Sequence, residues 1–289
     1  MISHIIPPPG EDVSAGIGDD CAVLKPSRTT NLLRLLKTDA MVEGIHYSKG
    51  TSLSQVGWKA LCRPISDIAA MGGTPLYALT TVAAPSSWTT GDWSSLYKGF
   101  AKAAEKFNVS IVGGDTVRSL RSVFISVAMT GEVPRSNLKL RSGANPRDLI
   151  CITGRLGGSL KSGRHLRFRP RVSEGQWLGR QSGITSMMDI SDGLGSDLPK
   201  LALASGCSFR IAPDLLPRFP GCTVAEAISD GEDYELLVTV NPRIWPFLQS
   251  RWERENPGLA LTPVGVMLHP DEASSPIPSA YDHLHLASK

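Results

Sequence analysis

Apolar and polar positions mark out the elements before any chemistry is considered. The run Asn31 to Lys37 (NLLRLLK) is too short for its period to decide, but it lies between turn-rich stretches and leads into Thr38-Asp39, which favours a buried strand. From Ser54, SQVGWKALCRPISDIAAMGG offers a candidate N-cap at Ser54, Val56, Ala60 and Leu61 at helical spacing, and a stop at Gly72-Gly73. Pro64 has no N–H for the Ala60 carbonyl, which predicts a kink or a restart near Asp67. Ser94 to Asn108 reads as an amphipathic helix with Leu96, Phe100, Ala103, Ala104 and Phe107 on one side. Val109 to Val112 then reads as a short strand that empties into Gly113-Gly114-Asp115, and the alternation of Val123, Ile125, Val127 and Met129 predicts another.

Gly131 to Pro146, rich in Gly, Pro, Asn, Ser and Arg, predicts a boundary, so the chain divides into an α+β half at 1–136 and a second at 137–289. The second half reads as a strand at Leu149 to Ile152, a basic loop or helix at Lys161 to Arg180, a strand at Thr185 to Ile190 and a helix at Leu194 to Ser205. Strands near Phe209, at Leu236 to Val240 and at Val264 to Met267 follow, with a helix around Ile244 to Trp252. Ile65-Ser66-Asp67 and Ile190-Ser191-Asp192 echo one another across the halves, too briefly to establish duplication. The proline-rich Met1 to Asp12 reads as an arm or frayed end.

Composition narrows the class. The 289 residues are 41% hydrophobic, enough for substantial cores, and the net charge of +3, with one dense basic patch at Lys161 to Arg180, gives no footprint for nucleic acid. Five separated cysteines form no C-x-x-C pair, and no eighteen-residue apolar run occurs, so the expectation is a cytoplasmic protein with no membrane association.

The chemistry concentrates where acids stand beside Gly, Ser or Thr: Asp19-Asp20, Thr38-Asp39, Ser66-Asp67, Gly114-Asp115, Asp189-Ile190-Ser191-Asp192 and Asp230-Gly231-Glu232-Asp233. Any one such loop is ordinary turn chemistry, but carboxylates gathered together need cations among them, and hard oxygen donors suit Mg²⁺. More than one ion and a polyphosphate ligand are therefore expected, with Arg118 and Arg141 placed to hold phosphate oxygens. No Walker loop, H-R-D or D-F-G motif, G-x-S-x-G elbow or H-E-x-x-H pair is present.

These motifs resemble the thiamine-monophosphate kinase family, of the superfamily that includes aminoimidazole ribonucleotide synthetase. The resemblance runs through GIGDDCAVL (Gly16 to Leu24), TDAMVEGIHY (Thr38 to Tyr47), SDIAAMGG (Ser66 to Gly73), IVGGDTVRS (Ile111 to Ser119), DISDGLGSDL (Asp189 to Leu198) and GEDYELL (Gly231 to Leu237). It implies a two-domain α+β fold, with the N-terminal sheet forming a β-barrel across a homodimer and a C-terminal α/β domain. The implied reaction is γ-phosphoryl transfer from ATP to thiamine monophosphate. Carried over by position, Asp20, Thr38, Asp39, Asp67, Asp115, Asp189 and Asp192 are implied ligands of several Mg²⁺ ions. Gly114, Asp115, Arg141 and Ser191 are implied ATP contacts, and His46 and Glu232 substrate contacts. Asp115, Asp192 and Arg141 would act by charge and position, with no general base, because the acceptor phosphate is already anionic.

The departures are specific. Lys37 stands where the family has Ser or Thr as a metal contact, and a protonated amine cannot ligate Mg²⁺ although its charge can replace an ion. Pro64 replaces Asn, Gly158 replaces Asp, the segment near Lys161 is shortened, and Pro278, before Tyr281-Asp282-His283-Leu284, replaces an aromatic that stacks on the thiamine ring. Another ATP-using member of the superfamily with a different acceptor, or a nucleotide-binding relative with impaired turnover, therefore stays open as an alternative.

Overall fold

The computed structural model describes residues 12–16, 18–25 and 31–277; the Pro7 to Gly10 arm, Pro278 and Tyr281 to Leu284 lie outside them. The first sheet comprises β1 (Val13–Ala15), β2 (Ala22–Leu24), β3 (Leu32–Val42), β4 (Thr74–Pro85), β5 (Ser110–Ser119) and β6 (Phe124–Pro134), in the order β1-β2-β3-β6-β4-β5. Its neighbours are antiparallel except β4 and β5, which run parallel and are joined through helix α2 (Thr90–Phe107), as a parallel pair requires. The second sheet comprises β7 (Leu149–Thr153), β8 (Ile184–Ile190), β9 (Ser208–Ile211), β10 (Glu235–Val240) and β11 (Leu261–Leu268), in the order β8-β10-β7-β11-β9, antiparallel throughout. The chain is thus α+β.

Helix α1 (Leu53–Ala70) joins the two halves. It packs on β3, β4 and β6 of the first sheet and also on β8 and on α3 (Val172–Gly179) of the second half, so its residues are buried on nearly every side. That enclosure explains a difference from the sequence pattern: the helix runs through Pro64 without a break or restart. Burying Leu61, Ile65 and Ile68 outweighs one missing backbone hydrogen bond. The helix also starts at Leu53, with Ser52 rather than Ser54 at the N-cap and no side-chain cap bond. Where α1 crosses α2, Gly57 and Gly99 let the backbones touch; a Cβ on Gly99 would run into the Ser54 carbonyl, and one on Gly57 into that of Leu96.

Two further expectations are corrected. Gly113-Gly114-Asp115 does not follow a strand but lies inside β5, and Gly131 to Pro134 is not linker but the end of β6, where Gly131 pairs with Leu35 and Pro75. The basic segment 161–180 contains a 3₁₀ turn at Arg164–Leu166 and then α3. Three more helices, α4 (Leu194–Ala204), α5 (Val224–Ser229) and α6 (Trp245–Glu255), complete the second half. Among the described residues, no helix is long and apolar enough to cross a membrane.

Candidate active site

Three acids far apart in sequence meet at the seam between the two sheets. Asp20 comes from the turn before β2, Asp67 from the last turns of α1 and Asp189 from β8; all three are buried, and one oxygen from each lies within 4.8 Å of the others. Carboxylates this close and this dry repel strongly, and the protein answers with cations and hydroxyls. Arg141 forks onto Asp20, with Nη2 2.9 Å from Oδ1 and Nε 3.3 Å from Oδ2, while its backbone N–H donates to Asp19 over 2.7 Å. Lys37 Nζ donates to Asp67 Oδ1 over 2.7 Å, and Ser66 Oγ donates to Asp189 Oδ2 over 2.6 Å. Asp39 is 3.5 Å from Arg63 and 4.0 Å from Lys37.

The compensation is incomplete. Burial, then the charges of Asp39 and Asp189, hold the Asp67 carboxyl well above the usual range. Burial and then Asp20 push Asp189 up to about 7.

Beside the triad, the exit of β8 supplies Ser191 and Asp192. Asp197, in the first turn of α4, fixes this turn by accepting from the backbone N–H groups of Ser191 (3.0 Å) and Asp192 (2.9 Å). Lys200 bridges Asp192 and Asp197 at 2.6 and 2.9 Å. The groups enclose a cavity of about 270 Å³ whose lining includes Lys37, Asp39, Asp67, Arg141, Asp189, Ser191 and Asp192. Positive and negative groups converge there with little apolar wall, an arrangement suited to phosphate held by both cations and arginine.

A second polar knot lies at Glu232. Buried Lys59 donates to Glu232 (2.6 Å) and to the His46 carbonyl (2.6 Å), and stands 2.8 Å from His165 Nδ1, so His46 and Glu232 meet through it. His46 Nδ1 accepts from the Val42 N–H. Burial, only partly offset by Glu232, lowers Lys59 to about 8, and burial plus the Lys59 charge lowers His165 to about 4, which keeps the imidazole neutral. Glu232 and Tyr234 both hold left-handed backbone, with φ of 66° and 53°, costly for residues with a Cβ and found mainly where the surroundings impose it.

The structure therefore brings together Asp20, Asp39, Asp67, Asp189, Arg141, Ser191 and Asp192. It does not bring Asp115, Gly114 or Arg118 to them within one chain. These three lie exposed on β5, where Asp115 Oδ1 accepts from the Thr116 N–H. Asp39, Val127, Thr80 and Gly114 follow one another across β3, β6, β4 and β5, and three strand spacings put Gly114 about 14 Å from Asp39. Thr38 faces the outer surface of the sheet, 3.5 Å from Ser126 Oγ.

The sequence motifs assign no role to Lys59, Arg63, Asp197, Lys200 or Tyr234. One partial signal is in the sequence: Lys59, Arg63 and Asp67 recur at every fourth position of α1, which puts them on one face without saying what that face meets.

The chain is similar to known proteins over most of its length. Residues 18–133 match the family model for AIR synthase related protein, N-terminal domain. The thiamine-monophosphate kinase of Bacillus subtilis is 33% identical over 268 residues, covering 82% of this chain and 81% of that protein. That of Rhodopirellula baltica is 36% identical over 270 residues, covering 88% and 83%. A solved structure of AaThiL complexed with AMPPCP and TMP superposes with a TM-score of 0.78 at 29% identity, over 91% of each chain.

Proposed function

Because this chain belongs to the thiamine-monophosphate kinase family, we propose that it transfers the γ-phosphoryl group of ATP directly to the phosphate of thiamine monophosphate, giving thiamine diphosphate and ADP. The observation that carries this reading is the Asp20–Asp67–Asp189 cluster opening on a cavity lined by Arg141, Lys37 and Lys200. Two phosphate-bearing substrates repel each other, and such a site lowers the barrier by neutralising and aligning them.

The donor set fits Mg²⁺: all three converging ligand atoms are carboxylate oxygens, with no thiol or imidazole among them to favour a softer metal. Asp20, Asp67 and Asp189 would hold the ions, with Asp39 and Asp192 at the margin. When bound, Mg²⁺ supplies charge neutralisation for the phosphate oxygens. The chain's own part is to orient: Arg141 and Ser191 hold the nucleotide phosphates, and His46 and Glu232, fixed through Lys59, meet the acceptor. No residue serves as general base, since the attacking oxygen is anionic at neutral pH.

A homodimer and the division at 136/137 belong to the same reading. On the outer face of the first sheet, Leu36, Tyr77, Leu79 and Val112 are exposed around a groove of about 580 Å³, an apolar surface suited to a second copy's sheet. At about 14 Å from Asp39 along the sheet, Asp115 would reach such a cradle from a second chain rather than its own.

The test is to incubate the purified protein with ATP, Mg²⁺ and thiamine monophosphate and to quantify thiamine diphosphate. Product is expected, reduced about a hundredfold or more in Asp67→Asn. Binding of ATP with no product at saturating thiamine monophosphate would overturn the proposal.

A further inference from the structure

Each acid at the seam has a different kind of partner, and the pattern is uneven. Asp20 has the fork of Arg141, Asp192 and Asp197 share Lys200, and Asp189 accepts from the Ser66 hydroxyl. Asp39 and Asp67 share Lys37, whose Nζ reaches over from β3 to stand 2.7 Å from Asp67 Oδ1 and 4.0 Å from Asp39 Oδ2, with Arg63 on the far side of Asp39.

An ammonium 2.7 Å from one carboxylate and within reach of a second occupies the ground a divalent ion would occupy when bridging them. It supplies one charge where the ion supplies two, and with all three hydrogens in place it has no lone pair to offer a metal. A divalent ion approaching Asp67 Oδ1 meets both a filled position and a like charge. On the other side of the cluster, Asp20 meets the Arg141 fork and Asp189 the Ser66 hydroxyl.

We propose that Lys37 is a tethered cation holding the Asp39–Asp67 position permanently, so that this chain takes up one divalent ion fewer than the same cradle with a neutral, oxygen-bearing side chain at position 37. The remaining divalent binding is centred on Asp20, Asp67 and Asp189. Lys37 is in this sense a positioning residue: its ammonium orients Asp67 through the 2.7 Å contact with Oδ1. The inference rests on reading the cradle as a divalent-cation site.

The experiment counts Mn²⁺ bound per chain, from the electron paramagnetic resonance signal of the free ion, in full-length wild type, Lys37→Ser and Lys37→Arg without nucleotide. Lys37→Ser is expected to bind one more Mn²⁺ per chain than wild type, and Lys37→Arg, which keeps the charge, the same number as wild type. An unchanged count in Lys37→Ser, or an added ion in Lys37→Arg, overturns the proposal. If Lys37→Ser unfolds in chelator, recovery of its near-ultraviolet circular dichroism on adding Mn²⁺ supports the tethered-cation role, and failure to fold at saturating Mn²⁺ overturns it. The count needs no turnover, so it is separable from failure of the kinase reading, which appears as absence of thiamine diphosphate from wild type.

Discussion

Among the residues of the site, the chemistry of the guanidinium matters more than its charge. Arg141 meets Asp20 through two nitrogens, holds the Gly18 carbonyl and, through its backbone N–H, fixes Asp19; a lysine would keep one point charge and lose the fork. Arg141→Lys is therefore expected to lower kcat/KM for ATP by about tenfold or more while leaving the fold intact by circular dichroism. An effect under about twofold would show that the fork is dispensable. Acids beside Gly, Ser or Thr were legible in the sequence because such residues have turn chemistry of their own. Of the basic partners, Arg141 and Lys37 were legible too, but Lys59, Arg63 and Lys200 were not, because they sit on helices whose register alone does not say which side faces a site.

The elements read correctly were those whose apolar period is strong. Helix α2 ends at Asn108 in left-handed conformation, as its sequence suggests, and its start is set by a reciprocal Thr89–Asp92 capping box. The short β1 and β2 were missed, and so was the long β4, inside the first sheet between β6 and the edge strand β5. The inward positions of β4 are filled by Ala78, Thr80, Val82 and Ala84, side chains too small to make the alternation conspicuous, and it is buried because β5 and β6 flank it. The α1–α2 contact is equally invisible along the chain, since a glycine in a helix reads as a weakness until the partner backbone is seen pressed against it. Gly99→Ala is expected to lower stability by about 1–3 kcal/mol in urea unfolding, because the helices must separate; if alanine's better propensity raised stability instead, the close packing would be refuted.

For the whole molecule, function depends on what the seam gathers. With divalent ions removed, the cluster is a destabilising feature whose effect varies with pH. Asp189, at about 7 in the folded protein against an ordinary 3.8, takes up its proton more readily folded than unfolded. Between those values the native state holds more protons, so stability falls as pH rises, and the melting temperature in chelator is expected to be higher at pH 5.5 than at pH 8. Mg²⁺ should raise it more at pH 8 than at pH 5.5; an equal rise at both would sink the account. Pairing of two copies through the first sheet predicts that wild type sediments as a dimer and Leu79→Arg as a monomer; a dimeric variant would place the interface elsewhere.

By itself the sequence determined the class of chemistry, because local motifs of acid, glycine and hydroxyl constrain donors whatever the fold, and it determined most strands and helices through their periods. Tertiary structure decided which acids meet. It drew Asp20, Asp67 and Asp189 together across more than a hundred residues, left Asp115 on an exposed strand, kept α1 whole through Pro64 and set Lys37 between two carboxylates. Those outcomes depend on burial and on distances between elements remote in sequence, which no local pattern of residues encodes.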